Sequence, residues 1–146
     1  RPILLKTSPD LTNEEIDLMT DIMVDTPLDG IIATNATTHP QGLVTSEKEL
    51  RKVGIGAVSG PTLTERAIEV VRRVHERCNG TYPIIGVGGL MTGDDVKRMM
   101  EAGASLVQVY TGFVYNGLSF AGDLCQALIE PEQEIIDTVE TTENQQ

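Results

Sequence analysis

The chain has 146 residues, 40% of them apolar and 3% aromatic, with 22 acidic against 11 basic side chains and a net charge of −11. That length suffices for one domain with its own core, and no apolar run approaches the roughly 18 residues of a membrane span. The acid surplus argues against nucleic acid as a partner, since phosphate backbones are held by clustered Lys and Arg.

The opening "RPILLKTSPD" lacks the apolar core and cleavage site of a signal peptide, so a cytoplasmic protein is expected. "PILLK" reads as a short apolar strand ending in Lys6. "TNEEIDLMTDIMVD" follows as a helix, with Ile16, Met19, Ile22 and Met23 at helical spacing and a Thr12…Glu15 capping box. "DGIIAT" is a second strand, and a long loop without clear periodicity runs from Asn35 to Pro61. The next helix, "TLTERAIEVVRRVHERC", places Leu63, Ala67, Val70, Val71 and Val74 on one apolar face, with a second capping box expected at Thr62…Glu65. "YPIIGVG" is a third strand. "TGDDVKRMMEAG" is a short helix capped by Thr92 and Asp95 and stopped at Gly103. "SLVQVY" is a fourth strand, and "TGFVYNGLSFAGDLCQALIE" supplies one or two last helical pieces. From Glu130 on, six acids and no base mark residues 131–146 as an acidic, solvated tail.

Strands that are apolar nearly throughout, separated by helices, predict an α/β fold with a parallel sheet. An open doubly wound sheet and half of a (β/α)8 barrel both fit, because a full barrel takes about 250 residues and four βα units make half of one. Such a half would leave "PILLK" and "SLVQVY" as open sheet edges, so the expected partner is the other half of a barrel or a second copy. Cys78 and Cys125 fit no metal or redox spacing and are expected to be free, buried or half-buried thiols. His39 has no partner at a recognisable spacing, and His75, in a polar helical stretch, is expected to face solvent. No metal cluster, nucleophile elbow or Walker loop is present, so neither a metal ligand nor a catalytic residue is assigned.

In βα folds the chemistry collects where strands end. "PIIGVGGLMTGDD" runs a strand into glycines and then a helix, a layout that holds phosphates in backbone amides. It is not a dinucleotide fingerprint. Gly86 and Gly88 fit, but the third glycine is replaced by Met91, and the strand from Ser105 to Tyr110 ends in no acid for a ribose. The other strand ends offer Lys6, then Thr34 and Asn35, then Tyr110 and Thr111, while Ser59 and Gly60 stand just before a helix start. Phosphate sites of barrels commonly use the loops after strands seven and eight, where Gly88–Gly89 and "YTG" would fall if these were the last four units.

Taken together, "GIIATNATT", "SGPTL", "PIIGVGGLMTGDD" and "EAGASLVQVYTGFVYNG" resemble the C-terminal half of a dihydroorotate dehydrogenase, the likeness covering roughly residues 3–130. "AGASLVQVYTGF" is most similar to the quinone-linked, class 2 branch. The resemblance implies an FMN-dependent (β/α)8 barrel that oxidises dihydroorotate to orotate in pyrimidine biosynthesis. It implies that Lys6 lies against the flavin, that Thr34 touches it and that Asn35 binds the pyrimidine. By the same likeness Ser59, Gly60, Gly88, Gly89, Tyr110 and Thr111 cradle the FMN phosphate. The catalytic base would lie in an N-terminal half outside these residues, leaving this chain inactive alone. The acceptor would be a quinone or another oxidant, and the complete protein would be cytoplasmic or peripheral on the inner membrane. Two positions depart from the family: Ala36 stands in the usual T-N-T-T, and Gly56-Ala57-Val58-Ser59-Gly60 replaces G-G-L-S-G. Alternatives are a non-catalytic flavin- or phosphate-binding half-barrel, or another FMN- or phosphate-binding barrel enzyme.

Overall fold

A computed structural model describes residues 1–129; the acidic stretch 131–146 lies outside the described residues. Four strands, β1 (Leu4–Thr7), β2 (Gly30–Ala33), β3 (Ile84–Val87) and β4 (Leu106–Gln108), form one sheet in sequence order with every neighbour parallel. Between and after them run α1 (Asn13–Val24), α2 (Glu47–Val53), α3 (Thr64–Arg77), α4 (Gly93–Glu101), α5 (Thr111–Asn116) and α6 (Phe120–Ile129).

The two sheet faces differ sharply. Strand residues alternate sides, and the buried set Thr7, Ile31, Ala33, Ile84 and Gly86 packs under the helices. The other set, Lys6, Ile32, Ile85 and Leu106, is aligned by register across the sheet and stays half-buried or exposed. A doubly wound sheet carries helices on both faces and reverses its strand order. Here the order never reverses and one face alone is covered among the described residues. This is the arrangement of a barrel arc.

Helix α3 is the keystone of the helical layer. Ala67, Val70, Val71 and Val74 are fully buried, as their 3-4 spacing predicts. Helix α1 contributes Ile16, Thr20 and Met23, one residue per turn, whereas the apolar Ile22 points outward. Thr20 pays no penalty for its burial, since its hydroxyl donates to the Ile16 carbonyl at 2.7 Å. Bidentate pairs fasten α1 to α3: Arg73 grips Asp17 at 2.7 Å, and Arg77 grips Asp21 at 2.6 and 2.7 Å. The guanidinium of Arg73 holds the Asp17 carboxyl below its usual range, and that of Arg77 does the same for Asp21.

Several local expectations need correction. The loop from Asn35 to Pro61 contains helix α2, whose Ser46 and Glu49 form a capping box. The Thr62…Glu65 box does not form. Pro61–Leu63 is instead a 3₁₀ turn, and α3 begins one residue after it at Thr64. Thr12…Glu15 and Thr92…Asp95 do cap α1 and α4 reciprocally. Cys78 is buried but Cys125 is exposed. His75 is half-buried rather than free in solvent, because the backbone at Gly103 lies against its ring: a Cβ there would come within 2.2 Å of the imidazole.

At the sheet–helix contact Gly86 of β3 faces Met99 of α4, and a Cβ on Gly86 would lie 2.5 Å from Met99 Cγ. Gly86→Ala is expected to overpack this point and cost about 1–3 kcal/mol. Met99→Ala should destabilise by about 2–5 kcal/mol alone and by less in the Gly86→Ala background, because the two changes share one space. Urea unfolding of the four variants of the cycle measures the coupling, and strict additivity would contradict it.

Candidate functional site

Because all four strands run parallel, their C-terminal ends open onto one rim, and the residues singled out in the sequence lie on it. Lys6 extends from the uncovered face of β1, in register with Ile32 of β2, and no carboxylate pairs with it among the described residues. After β2 the Ala33–Thr34 peptide is cis. Thr34 is buried; its amide donates to the Val87 carbonyl at 2.6 Å and its hydroxyl to the Asn35 carbonyl at 3.0 Å. The amide of Asn35 donates to the Thr7 carbonyl at 2.8 Å, while its side chain is exposed. Strand end β2 is thereby fastened to β3 on one side and β1 on the other.

Three turns converge beside it. Ser59 Oγ and Thr111 Oγ1 share a hydrogen bond of 2.7 Å. The Thr64 hydroxyl donates to the carbonyls of Gly89, at 2.7 Å, and Pro61, at 3.0 Å. Gly89 has φ +70°, and a Cβ there would sit 2.6 Å from the Gly60 carbonyl oxygen, so only glycine allows the two turns to approach this closely. Gly88, at φ +141°, turns its Cβ direction toward Ala67 of α3, 2.7 Å away. A side chain at 88 would therefore push on the helix, not on a ligand. Among the turns and caps of the described residues, no backbone acceptor takes the amide hydrogens of Gly60, Gly89 or Thr111. Glycine turns with unengaged amides suit an anion, and this is the feature that fits a phosphorylated cofactor such as FMN. Tyr110 is 73% exposed and begins no cap hydrogen bond of its own.

The sequence reading missed a second set of residues on the same rim. Asp10, in the loop after β1, accepts hydrogen bonds from the hydroxyl of Thr37, from the amide of Thr38 at 2.8 Å and from the Thr38 hydroxyl at 2.7 Å. His39 Nδ1 lies 3.6 Å from the same carboxylate. Thr37 in turn pairs with Val58 in both directions, at 3.0 and 2.8 Å, which delivers the chain to Ser59 and Gly60. A cleft of about 540 Å³ opens below these loops, between Asp10, Thr37, His39 and the start of α3. Its Arg66 is occupied by the carbonyls of Pro9 and Leu11 and by Asn13. No metal-binding group of three or more His, Cys, Asp or Glu occurs among the described residues.

Burial opposes the ionisation of Asp10, but the hydrogen bonds from Thr37, Thr38 and His39 outweigh it and lower its pKa from the usual 3.8 to about 2. A carboxyl with a depressed folded pKa stabilises above its unfolded value and loses that contribution as pH falls through the folded one. The tie is therefore expected to hold fully above pH 3.8 and to release as pH drops towards 2. Amide exchange at Thr38 followed through that window checks it. Unchanged protection down to the lower limit would show that the carboxylate is not what holds the loop.

The family model described as dihydroorotate dehydrogenase matches residues 1–131. The dihydroorotate dehydrogenase (quinone) of Corynebacterium efficiens is 43% identical over 129 residues, which is 88% of this chain and 34% of the relative. That of Christiangramia forsetii is 45% identical over 130 residues, 89% of this chain and 37% of the relative. Among solved structures, the crystal structure of Eimeria tenella DHODH in complex with ferulenol superposes with a TM-score of 0.80 at 34% identity, covering 97% of this chain and 36% of that one. The ligand-free form of the Eimeria tenella protein gives 0.78 at 36% identity, over 86% and 34% of the two chains. The chain thus spans about a third of the length of the relatives it matches. With its one-sided parallel sheet and these neighbours, it belongs to the dihydroorotate dehydrogenase family and folds as part of a (β/α)8 barrel.

Proposed function

We propose that this chain is the C-terminal half of the barrel, residues 1–130, of an FMN-dependent dihydroorotate dehydrogenase, and that it supplies the flavin-binding rim and one substrate contact. The observation that carries the reading is the rim itself: three glycine-bearing turns with unengaged amides, held together by Ser59–Thr111 and Thr64–Gly89, lie along the same edge as Lys6 and Asn35. Neighbouring strands are about 4.8 Å apart, so the ends of β1 and β4 are separated by roughly 14 Å along the sheet. That span suits an elongated ligand with a phosphate at the β3–β4 end and its ring system towards β1.

When bound, FMN would supply the acceptor for the hydride that leaves dihydroorotate. The residues of this chain bind and orient. Amides of Gly60, Gly88, Gly89 and Thr111 donate to the phosphate, with the Ser59 and Thr111 hydroxyls beside them and Tyr110 at the border of the site. Thr34, expected from the sequence to touch the ring, is buried with its amide and hydroxyl both taken by backbone carbonyls, so its part is to fix the end of β2 rather than to grip the ligand. Lys6 places a positive charge against the ring where negative charge gathers on reduction, an electrostatic role that needs no proton transfer. Asn35 offers both a donor and an acceptor, which matches the mixed edge of a pyrimidine dione. No residue here is assigned the catalytic base, which this reading puts in the other half of the barrel; the chain alone is expected to be inactive. The final acceptor is a quinone, in keeping with the names of the relatives. The uncovered face of Ile32, Ile85 and Leu106 is closed by further strands, from a longer chain or from a second copy. No helix among the described residues is long and apolar enough to cross a membrane.

A full-length dihydroorotate dehydrogenase carrying this segment tests the reading. It is expected to bind FMN stoichiometrically, and anaerobic addition of dihydroorotate should bleach the flavin absorbance. Ser59→Ala combined with Thr111→Val should weaken FMN binding by about ten-fold, since two hydroxyl contacts are lost. Lys6→Met should retain FMN but slow bleaching by about a hundred-fold. A wild-type flavin that dihydroorotate leaves oxidised would overturn the proposal.

A further inference from the structure

We propose that Asp10 is a positioning residue for substrate: its carboxylate clamps the loop after β2 to the loop after β1 and so fixes Asn35 relative to Lys6. The inference rests on the reading of Lys6 and Asn35 given above, and the clamp itself stands on geometry. Asp10 follows Lys6 by four residues, and Thr37 and Thr38 follow Asn35 by two and three. One carboxylate therefore gathers three donors from the far loop: the Thr37 hydroxyl, the Thr38 amide and the Thr38 hydroxyl. The amide of His39 donates to Thr37 Oγ1 at 3.0 Å, which closes the turn around the carboxylate.

Asn35 is consequently held at two points. Its own amide is bonded to the Thr7 carbonyl, the residue next to Lys6, and the chain two residues on is held by Asp10. The exposed Asn35 side chain makes no hydrogen bond to the protein among the described residues, so only its backbone placement decides where its amide group points. A group without neighbours of its own depends on the chain that carries it. Thr37 is also paired with Val58 by two backbone bonds that do not involve the carboxylate, so the approach to Ser59 and Gly60 is held independently of Asp10. The placement of the substrate contact is what is referred to the carboxylate on β1's loop.

Ordinary carboxylate chemistry explains why an acid is needed. Ionised Asp has two acceptor oxygens with about four lone-pair directions, enough for all three donors. Asn keeps one acceptor oxygen and turns the other position into a donor. Charge-assisted bonds become neutral ones, and the two hydroxyls and one amide can no longer all be served. Small errors in the placement of a substrate contact are expensive, since a shift of about 1 Å can cost roughly a hundred-fold.

The test compares wild type, Asp10→Asn and Thr38→Ser in a full-length dihydroorotate dehydrogenase carrying this segment. Orotate affinity is read from the flavin spectrum, FMN content from absorbance, and steady-state rates and amide exchange are measured alongside. Asp10→Asn is expected to raise the orotate Kd and the dihydroorotate KM by about ten-fold, with kcat within about two-fold and FMN content unchanged. Exchange at residues 37–39 should accelerate while β2 stays protected. Thr38→Ser, which keeps the amide and the hydroxyl, should match wild type in every readout. An unchanged orotate Kd beside a loosened loop would overturn the proposal, as would loss of FMN in step with loss of orotate. Failure of the wild type itself to bind orotate would instead strike the functional reading, and it shows before any variant is made.

Discussion

Everything at the candidate site depends on the parallel pairing of β2 between β1 and β3. Parallel strands end together, and each crossover returns the chain to the opposite end of the sheet beside the strand just completed, so the four strand ends and their loops are delivered to one rim. Register does the finer work. Lys6 is opposite Ile32, and Ile32 is opposite Ile85, which keeps the lysine on the face without helices. A slip of one residue would turn Lys6 to the buried face and bring Thr7 out. The hydrophobic content of β2 forbids that slip, because Ile31 and Ala33 fill the core completely. The position of one charged group is therefore decided by the burial of uncharged neighbours.

The rim is not a set of independent loops. Bonds run from Asp10 to Thr37, from Thr37 to Val58, from Ser59 to Thr111, and from Thr64 to Gly89, so each strand end is fastened to another. Glycine makes the closest of these approaches, at position 89, where any Cβ would meet Thr64 and Gly60. The glycine at 88 has a different task, although the two are neighbours in sequence: it lets the β3 turn lie against Ala67 of α3 and Leu63 of the 3₁₀ turn before it. Phosphate-like amides and helix packing are thus divided between adjacent residues.

Strand order, helix faces and the rim residues were legible because each leaves a local trace. Apolar runs mark strands, the 3-4 spacing of Ala67 to Val74 marks a buried face, and glycines mark turns. What escaped depends on partners distant in sequence. Asp10 reads as a turn former in "SPDLT", and nothing near it announces Thr37 and Thr38, 27 and 28 positions away. Thr62 looked like the cap of α3 by its spacing to Glu65, yet Pro61 starts a 3₁₀ turn and the Thr64 hydroxyl is drawn to Gly89 instead. Helix α2 left a trace that went unread: Ser46 and Glu49 have capping-box spacing, but no residue of the helix is buried, so hydrophobic periodicity is silent there. His75 was misjudged for the opposite reason. Its helical neighbours are polar, and the burial comes from the backbone at Gly80 and Gly103, which no side-chain pattern records.

The charge balance of the chain sharpens how an anion would be held. The chain has twice as many acids as bases, and four of its arginines are committed to fastening helices and loops. Arg73 and Arg77 fasten α1, Arg98 grips Glu65, and Arg66 holds the loop carbonyls of Pro9 and Leu11. The first three of these arginines join helix to helix, and Arg66 ties the β1 loop to α3. What the rim offers is a line of backbone dipoles and, at the other end of the sheet, the ammonium of Lys6. Amides discriminate by geometry and carry no net charge, so the acidic chain repels an anion less where it matters than its total charge suggests. Lys6 makes no ion pair with a carboxylate among the described residues. Under the proposed function the division of labour is physical: backbone amides for the phosphate, Lys6 for the ring, and Arg66, Arg73, Arg77 and Arg98 for holding the helices and the β1 loop in place.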